Sequence, residues 1–311
     1  MKHIGEFQLI KQLTKILEIK DKNVLVGFGD DCACVNVESK KLVFTADIQI
    51  ENVHFLKDKV KPTQLGWKLI SVNVSDVVAC GGVPKWAVIS IAVPKNINIK
   101  WLKEVYEGIK KALDFYKFDI IGGNTSSSSE IIFDLFLTGE TEKFVSRSGA
   151  KPGDYVFISG HTGLSRAGLE LLLMDKKDYE DFEKRLIKTH LEPVARIDLQ
   201  EKISRYATAC IDISDGLVGD LGHISENSKV KIILEKEKIP ISADLEKYCK
   251  KYNKNPYDYI LYGGEDYQLA FTIKKEDIIH FKNEFLIGIV EKGEGIYLDN
   301  KKLKEKGFEH I

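Results

Sequence analysis

The chain has 311 residues, of which 43% are hydrophobic and 30% are charged. This length exceeds what one hydrophobic core usually supports, so two domains are expected. The 46 Lys and Arg residues nearly balance 47 Asp and Glu residues, for a formal charge of −1. A balanced chain argues against nucleic acid or an anionic membrane as the main partner.

The sequence carries no sign of a membrane span, a secretion signal or a disulfide framework. No apolar run approaches the length of about 18 residues that a span needs, and the first residues lack the apolar segment of a signal peptide. The five cysteines form no C-x-x-C pair, which argues against a zinc site or paired disulfides. We therefore expect a reduced, cytoplasmic protein.

In chain order, the spacing of apolar residues predicts alternating helices and strands in the first half. A helix is predicted over residues 6–19, and a second one starts at Pro62 and stops at Gly81-Gly82. A third helix carries residues 102–113, and residues 126–129 are predicted to form a loop. The predicted strands cover residues 24–28, 42–44, 86–93, 118–121 and 131–138.

Turn-forming residues at 147–154 interrupt this pattern, so we place a domain boundary there. An N-terminal domain of residues 1–147 and a C-terminal α/β domain of residues 148–311 are predicted. The second half again mixes helices (164–173, 194–206, 243–252) with strands (155–159, 209–211, 230–234, 268–273, 286–290). Such a mixture in both halves predicts an α/β (α+β) fold class.

Acidic residues recur beside glycines at the ends of these predicted elements. The members of this set are Asp30, Asp31, Asp47, Asp76, Asp212, Asp215, Glu265 and Asp266. Carboxylate oxygens are the ligands that Mg²⁺ prefers, and glycine lets a phosphate approach the backbone. Asp beside Gly is also common in ordinary turns. Spacing alone therefore leaves two readings open: turn chemistry, or a Mg²⁺-dependent site for a polyanionic ligand.

Other phosphate-binding and catalytic motifs are missing from the sequence. It contains no P-loop, no protein-kinase loops, no G-x-G-x-x-G and no H-E-x-x-H. These absences argue against P-loop, protein-kinase, dinucleotide-binding and zinc-protease functions.

Several blocks, taken in order, resemble the thiamine-monophosphate kinase family. The resemblance runs across essentially the whole chain and is specific as a set. Its blocks are Gly29-Asp30-Asp31-Cys32-Ala33, Thr45-Ala46-Asp47 with His54-Phe55, Asn73-Val74-Ser75-Asp76, Gly122-Gly123-Asn124-Thr125, Ser146-Arg147-Ser148-Gly149, Asp212-Ile213-Ser214-Asp215-Gly216, Gly263-Gly264-Glu265-Asp266-Tyr267 and Gly307-Phe308-Glu309-His310.

The resemblance implies the two-domain fold of the aminoimidazole-ribonucleotide synthetase superfamily. In that fold the N-terminal domains pair through a shared β-barrel, which implies a homodimer. The implied activity is ATP-dependent phosphorylation of thiamine monophosphate to thiamine diphosphate, in thiamine diphosphate biosynthesis, with several Mg²⁺ ions assisting in-line transfer.

Residue roles follow by motif position and are implied by the resemblance alone. The implied metal ligands are Asp31, Thr45, Asp47, Asp76, Asn124, Asp212 and Asp215, of which Asp47, Asp212 and Asp215 are the catalytic candidates. The implied ATP contacts are Tyr106, Gly123, Asn124, Arg147 and Ser214. The implied contacts to the thiamine end of the substrate are His54, Glu265 and Phe308.

Two positions depart from the family pattern. Asn124 stands where the family usually has Asp, and Ala46 replaces a hydroxyl residue, so the metal shell loses one charge and one ligand. Two alternatives therefore stay open: another ATP-dependent synthetase of the same superfamily, or a non-catalytic sensor of thiamine phosphate or nucleotide.

Overall fold

The computed structural model describes residues 22–26, 30–37 and 40–304. The predicted helix over residues 6–19 and the candidate Phe308 lie outside these residues. The described chain forms two mixed β-sheets, one in each half of the sequence, with helices packed against them. The predicted α/β class is therefore confirmed.

The N-terminal sheet has six strands in the order β1-β2-β3-β6-β4-β5. All neighbours are antiparallel except β4 and β5, which run parallel. The strands are β1 Val24–Val26, β2 Ala33–Val37, β3 Lys40–Ile50, β4 Val83–Val93, β5 Asp119–Ser127 and β6 Ile132–Thr141. In a single chain this sheet is open, with β1 and β5 at its edges among the described residues. The shared barrel stays a prediction.

Alternating polarity gives the N-terminal sheet one buried face and one outer face. In β4, Ala87, Ile89 and Ile91 are buried, whereas Trp86 and Val88 are exposed on the outer face. Two helices cover the buried face: α1 Pro62–Ala79 and α2 Ile99–Tyr116.

The C-terminal sheet has seven strands in the order β13-β12-β9-β11-β7-β10-β8. These are β7 Tyr155–Ile158, β8 Ala207–Asp212, β9 Val230–Leu234, β10 Leu269–Ile273, β11 Phe285–Lys292, β12 Gly295–Leu298 and β13 Lys301–Lys302. The helices of this half are α3 Leu164–Leu173, α4 Asp181–Leu191, α5 Gln200–Tyr206, α6 Leu217–Ser228, α7 Ala243–Tyr252 and α8 Pro256–Tyr262. Every residue of β10 is buried, because this strand is covered on both faces.

Helix α1 joins the two halves. Most of its residues are buried, and one hydrophobic cluster extends from Leu69 to Phe157 and Phe271 of the second sheet. The indole Nε1 of Trp67 donates to the carbonyl oxygen of Pro193 at 2.6 Å. The backbone N–H of Ala195 donates to the hydroxyl of Tyr116 at 2.9 Å. The halves are therefore docked along this helix.

These contacts explain one incorrect prediction. Residues 194–206 were expected to form one helix, but only Gln200–Tyr206 is α-helical, preceded by a 3₁₀ turn at Ile197–Leu199. The expectation fails because the backbone at residues 193 and 195 is bonded to α1 and α2 instead of to a helical turn.

The other predicted elements are confirmed, with shifted boundaries, wherever the structure describes them. The expected loop at residues 126–129 is partly wrong, because β5 continues to Ser127 in parallel register with β4. Helices α4, α6 and α8 and strands β2, β12 and β13 were not predicted. No helix in the described part of the chain is long and apolar enough to cross a membrane.

Candidate active site

A cavity of about 1250 Å³ lies between the two halves. Its lining includes the acidic residues Asp47, Asp76, Asp212 and Asp215. It also includes the apolar residues Leu56, Val60, Leu65, Leu169, Leu172 and Leu191. The cavity therefore offers both charged groups and apolar surface to a ligand.

Three carboxylates converge on the acidic side. Asp31 precedes β2, Asp76 lies in the last turn of α1, and Asp212 is the last residue of β8. Each offers an oxygen that lies within 4.8 Å of the others. Residues far apart in sequence thus meet because their elements end at the same place.

Strand β3 brings two further predicted ligands next to this cluster of three carboxylates. The hydroxyl of Thr45 donates to Oδ2 of Asp76 at 2.6 Å, and the backbone N–H of Asp47 donates to Oδ1 of Asn73 in α1 at 3.1 Å. Ala46, which lies between Thr45 and Asp47 on the strand, is exposed and also lines the cavity.

The cluster concentrates negative charge in a buried place. Burial first, and then the charges of Asp47 and Asp212, raise the pKa of Asp76 well above its ordinary value. Burial and the charge of Asp31 raise the pKa of Asp212 in the same way. A cation bound at the cluster would relieve this repulsion, and carboxylates with a hydroxyl are ligands that suit a hard divalent ion.

Arg147 already supplies one positive charge at the edge of the cluster. Its Nη2 and Nε donate to the two carboxylate oxygens of Asp31 at 2.6 and 3.1 Å, and its backbone N–H donates to Asp30 at 3.1 Å. Burial alone would lower the pKa of Arg147, but the charge of Asp31 and its hydrogen bonds raise it overall. The guanidinium is therefore a fixed cation with planar donors.

Two loops carry the remaining predicted residues to the cavity. The backbone N–H of Glu265 donates to the carbonyl oxygen of Ser214 at 2.7 Å. A Cβ at Gly264 would lie 2.4 Å from that same oxygen, so this close approach requires glycine. Ser214, Asp215 and Glu265 consequently line one stretch of the cavity wall.

His54 also lines the cavity. Its Nδ1 accepts a hydrogen bond from the backbone N–H of Ile50 at 3.0 Å. This bond places the ring proton on Nε2 in the neutral form. The imidazole ring is thereby held in one orientation in the cavity wall.

Sequence reasoning missed a polar network around Glu265 in the cavity wall. Nζ of Lys68 lies 2.8 Å from Oε1 of Glu265, and Nδ1 of His190 lies 3.4 Å from Oε2. The hydroxyl of Ser165 lies 3.0 Å from the same nitrogen of His190. The only signal in the sequence was a lysine within the apolar face of the predicted helix, beside Leu65 and Leu69.

Three predicted ATP contacts lie away from the cavity in the single chain. Tyr106 is an exposed residue of α2, and Gly123 and Asn124 lie on the exposed edge strand β5. Oδ1 of Asn124 accepts from the backbone N–H of Thr125 at 2.9 Å. Asn124 is paired through Ser90 and Asp134 to Ile48, a path of three strand spacings or about 14 Å. The structure therefore does not bring Asn124 to the three carboxylates within one chain.

Known proteins resemble this chain closely. Residues 29–141 match the family model described as AIR synthase related protein, N-terminal domain. A thiamine-monophosphate kinase of Aquifex aeolicus (strain VF5) is 51% identical over 311 residues, which are 100% of this chain and 99% of that protein. A thiamine-monophosphate kinase of Buchnera aphidicola subsp. Schizaphis graminum (strain Sg) is 37% identical, with 99% of each chain covered.

The structure described as AaThiL complexed with AMPPCP and TMP superimposes with a TM-score of 0.95 at 51% identity. The alignment covers 100% of this chain and 98% of that one. The fold and the sequence thus agree over their whole lengths.

Proposed function

The chain belongs to the thiamine-monophosphate kinase family, and on that premise we propose how its residues perform the reaction. It is an enzyme that uses ATP to phosphorylate thiamine monophosphate to thiamine diphosphate. The observation that carries the assignment to this cavity is the convergence of three carboxylates, two of which line a cavity that also has apolar residues in its lining.

We propose that Asp31, Asp76 and Asp212 hold Mg²⁺, with Thr45, Asp47 and Asp215 beside them. The donor set fits this ion, because it consists of oxygen ligands whose mutual repulsion a divalent cation relieves. When bound, Mg²⁺ neutralises phosphate oxygens and stabilises the charge that develops during transfer. Asp47, Asp212 and Asp215 are our candidates for the catalytic carboxylates.

The protein side chains position the phosphates rather than move protons. The acceptor phosphate has a second pKa of about 6 and is mostly ionised at neutral pH, so a strong base is not needed. Arg147, whose Nε and Nη2 are held by Asp31, adds a fixed positive charge for phosphate oxygens, and Ser214 adds a hydroxyl at the cavity wall. His190 is an unsuitable base, because burial and the charge of Lys68 lower its pKa to about 3.

We propose that the thiamine rings lie against the leucine side chains of the cavity lining. The leucine-rich wall provides packing for flat rings, and His54 and Glu265 provide polar contacts at its margin. Phe308 stays a proposed stacking partner.

We propose a homodimer that is formed through the outer face of the N-terminal sheet. Trp86, Val88, Ile121 and Phe136 are 45%, 37%, 67% and 41% exposed in the single chain. An exposed apolar surface of this kind is typical of a protein interface. Tyr106, Gly123 and Asn124 remain proposed ATP contacts. Light scattering of the purified protein tests the dimer, and a monomer would contradict it.

We also propose a cytoplasmic location and a domain division at residues 147/148. The five cysteines are all free thiols, which suits a reducing compartment. The division falls between the last strand of the first sheet and the first strand of the second, at residues 141 and 155.

The activity is tested with purified protein, ATP, Mg²⁺ and thiamine monophosphate, and thiamine diphosphate is quantified by chromatography. We expect product with Mg²⁺ and none after addition of EDTA. Binding of both ligands without product would favour the sensor, and absence of both binding and product would contradict the family activity in this chain.

A further inference from the structure

The carboxylate of Glu265 pairs with a buried lysine at the wall of the cavity. Lys68, His190 and Glu265 all line the cavity, but the Lys68 side chain is only 4% exposed, whereas the Glu265 side chain is 31% exposed. One oxygen of Glu265 contacts Nζ of Lys68 at 2.8 Å and the other faces Nδ1 of His190 at 3.4 Å. Glu265 is therefore held by two neighbours and remains the more exposed member of the pair.

Packing alone does not explain a lysine at this position. Residue 68 lies in the middle of α1, between the fully buried Leu65 and Leu69, where an apolar side chain would fill the space. A buried ammonium is costly unless it is paired. Glu265 itself adopts a left-handed backbone with φ of 60°, which is uncommon for a residue other than glycine. A costly charge and a costly backbone thus meet at one contact that faces the ligand cavity.

The network carries no net charge. The ammonium of Lys68 and the carboxylate of Glu265 cancel, and the charge of Lys68 lowers the pKa of Glu265 despite its burial. His190 is neutral at pH 7, because burial and Lys68 lower its pKa to about 3. The carboxylate oxygens of Glu265 can therefore accept further hydrogen bonds from a ligand, and the carboxylate carries no uncompensated negative charge.

We propose that Lys68 is a positioning residue that holds Glu265 as a hydrogen-bond acceptor for the amino group of the substrate's aminopyrimidine ring. In this role Glu265 does not act as a counter-ion for the positively charged thiazolium ring. This inference rests on the proposed placement of the thiamine rings in the cavity. It assigns selectivity to an N–H donor, because a site built to hydrogen-bond such a group rejects analogues that lack it.

The first test compares Lys68→Met with Lys176→Met. Lys176 pairs with the buried Glu183 at 2.8 Å outside the cavity, so it is a matched lysine–glutamate pair. We expect Lys68→Met to raise KM for thiamine monophosphate by roughly 10- to 100-fold with a kcat within about threefold of the parent. KM for ATP should not change, and Lys176→Met should leave all three constants unchanged. An unaltered KM for thiamine monophosphate in folded Lys68→Met would overturn the inference.

The second test separates an acceptor from a counter-ion. In the Lys68→Met background, Glu265→Gln removes the unpaired charge but keeps an acceptor oxygen. We expect the double variant to bind thiamine monophosphate at least as tightly as Lys68→Met, as measured by calorimetry. Weaker binding of the double variant would show that the negative charge of Glu265 is what matters.

The third test needs no lysine variant and remains decisive if Lys68→Met fails to fold. We expect the parent protein to bind the analogue with a 4-oxo group in place of the pyrimidine amine at least about tenfold more weakly than thiamine monophosphate. Glu265→Ala should abolish this difference, and equal binding of the two ligands by the parent would refute the acceptor role. Because calorimetry does not require turnover, failure of the kinase assay and failure of this inference remain distinguishable.

Discussion

Replacing Asp76 with Asn should stabilise the metal-free protein while removing its response to Mg²⁺. The oxygens of Asp31, Asp76 and Asp212 lie within 4.8 Å of one another. Two unit charges at that distance repel by about 3.5 kcal/mol at an effective dielectric constant of about 20. Burial and the charges of Asp47 and Asp212 raise the pKa of Asp76, so its ionised form is unfavourable in the folded state, and we expect a gain of about 1–3 kcal/mol. The amide oxygen of Asn can still accept the hydrogen bond from Thr45.

The assay is urea unfolding in EDTA, repeated with Mg²⁺. At a Mg²⁺ concentration of about 100 times Kd, the parent protein should gain about 2.7 kcal/mol, whereas Asp76→Asn should gain much less. Glu276→Gln, whose parent side chain is 76% exposed, is the control and should behave like the parent.

The pH dependence has a defined sign. A carboxyl whose pKa is raised on folding destabilises the folded state above its ordinary pKa of 3.8. The advantage of Asp76→Asn should therefore be absent below that ordinary value, grow as the pH rises from it towards the raised pKa, and stay constant at higher pH. A variant that is less stable than the parent in EDTA at neutral pH, or one that keeps the full Mg²⁺ response, would refute the electrostatic reasoning.

Three further substitutions test other parts of the structure. Asp47→Asn should lower turnover at least about 100-fold with an unchanged circular dichroism spectrum, and near-normal rates would show that Asp47 is not a ligand. Asn124→Asp should lower the Mg²⁺ concentration for half-maximal rate; no change would mean that this position does not ligate. Gly108→Ala should cost about 1–3 kcal/mol in urea unfolding, because its Cβ would lie 2.0 Å from the carbonyl oxygen of Thr63. Gly122→Ala is its control, since that Cβ meets only an ordinary contact at 3.5 Å, and equal losses would contradict the close packing of α1 and α2.

The acidic cluster was accessible to sequence reasoning because its residues lie at the ends of apolar elements. Asp76 ends a helix and Asp212 ends a strand, and such positions gather at one edge of a layered fold. Helix α1 and most strands were equally predictable, since their apolar periodicity is strong.

The network of Lys68, Glu265 and His190 could not be predicted from the sequence in this way. The burial of Lys68 depends on a carboxylate that is distant in sequence, and no local pattern encodes that contact. Strand β5 is a similar case. Its Gly-Gly-Asn-Thr-Ser-Ser stretch has little strand propensity, and pairing with β4 decides its conformation.

The placement of Asn124 also depends on tertiary structure. The family resemblance implied that it joins the other ligands, but sheet register sets it apart from them in one chain.

The most direct measurement is the anomalous scattering of crystals grown with Mn²⁺ as a substitute for Mg²⁺, recorded at the manganese absorption edge. We expect a peak among the carboxylates of Asp31, Asp76 and Asp212 in the parent protein, and no peak there in Asp76→Asn. A parent crystal with these three side chains ordered and no manganese between them would contradict the proposal that this cluster is the metal centre of the kinase.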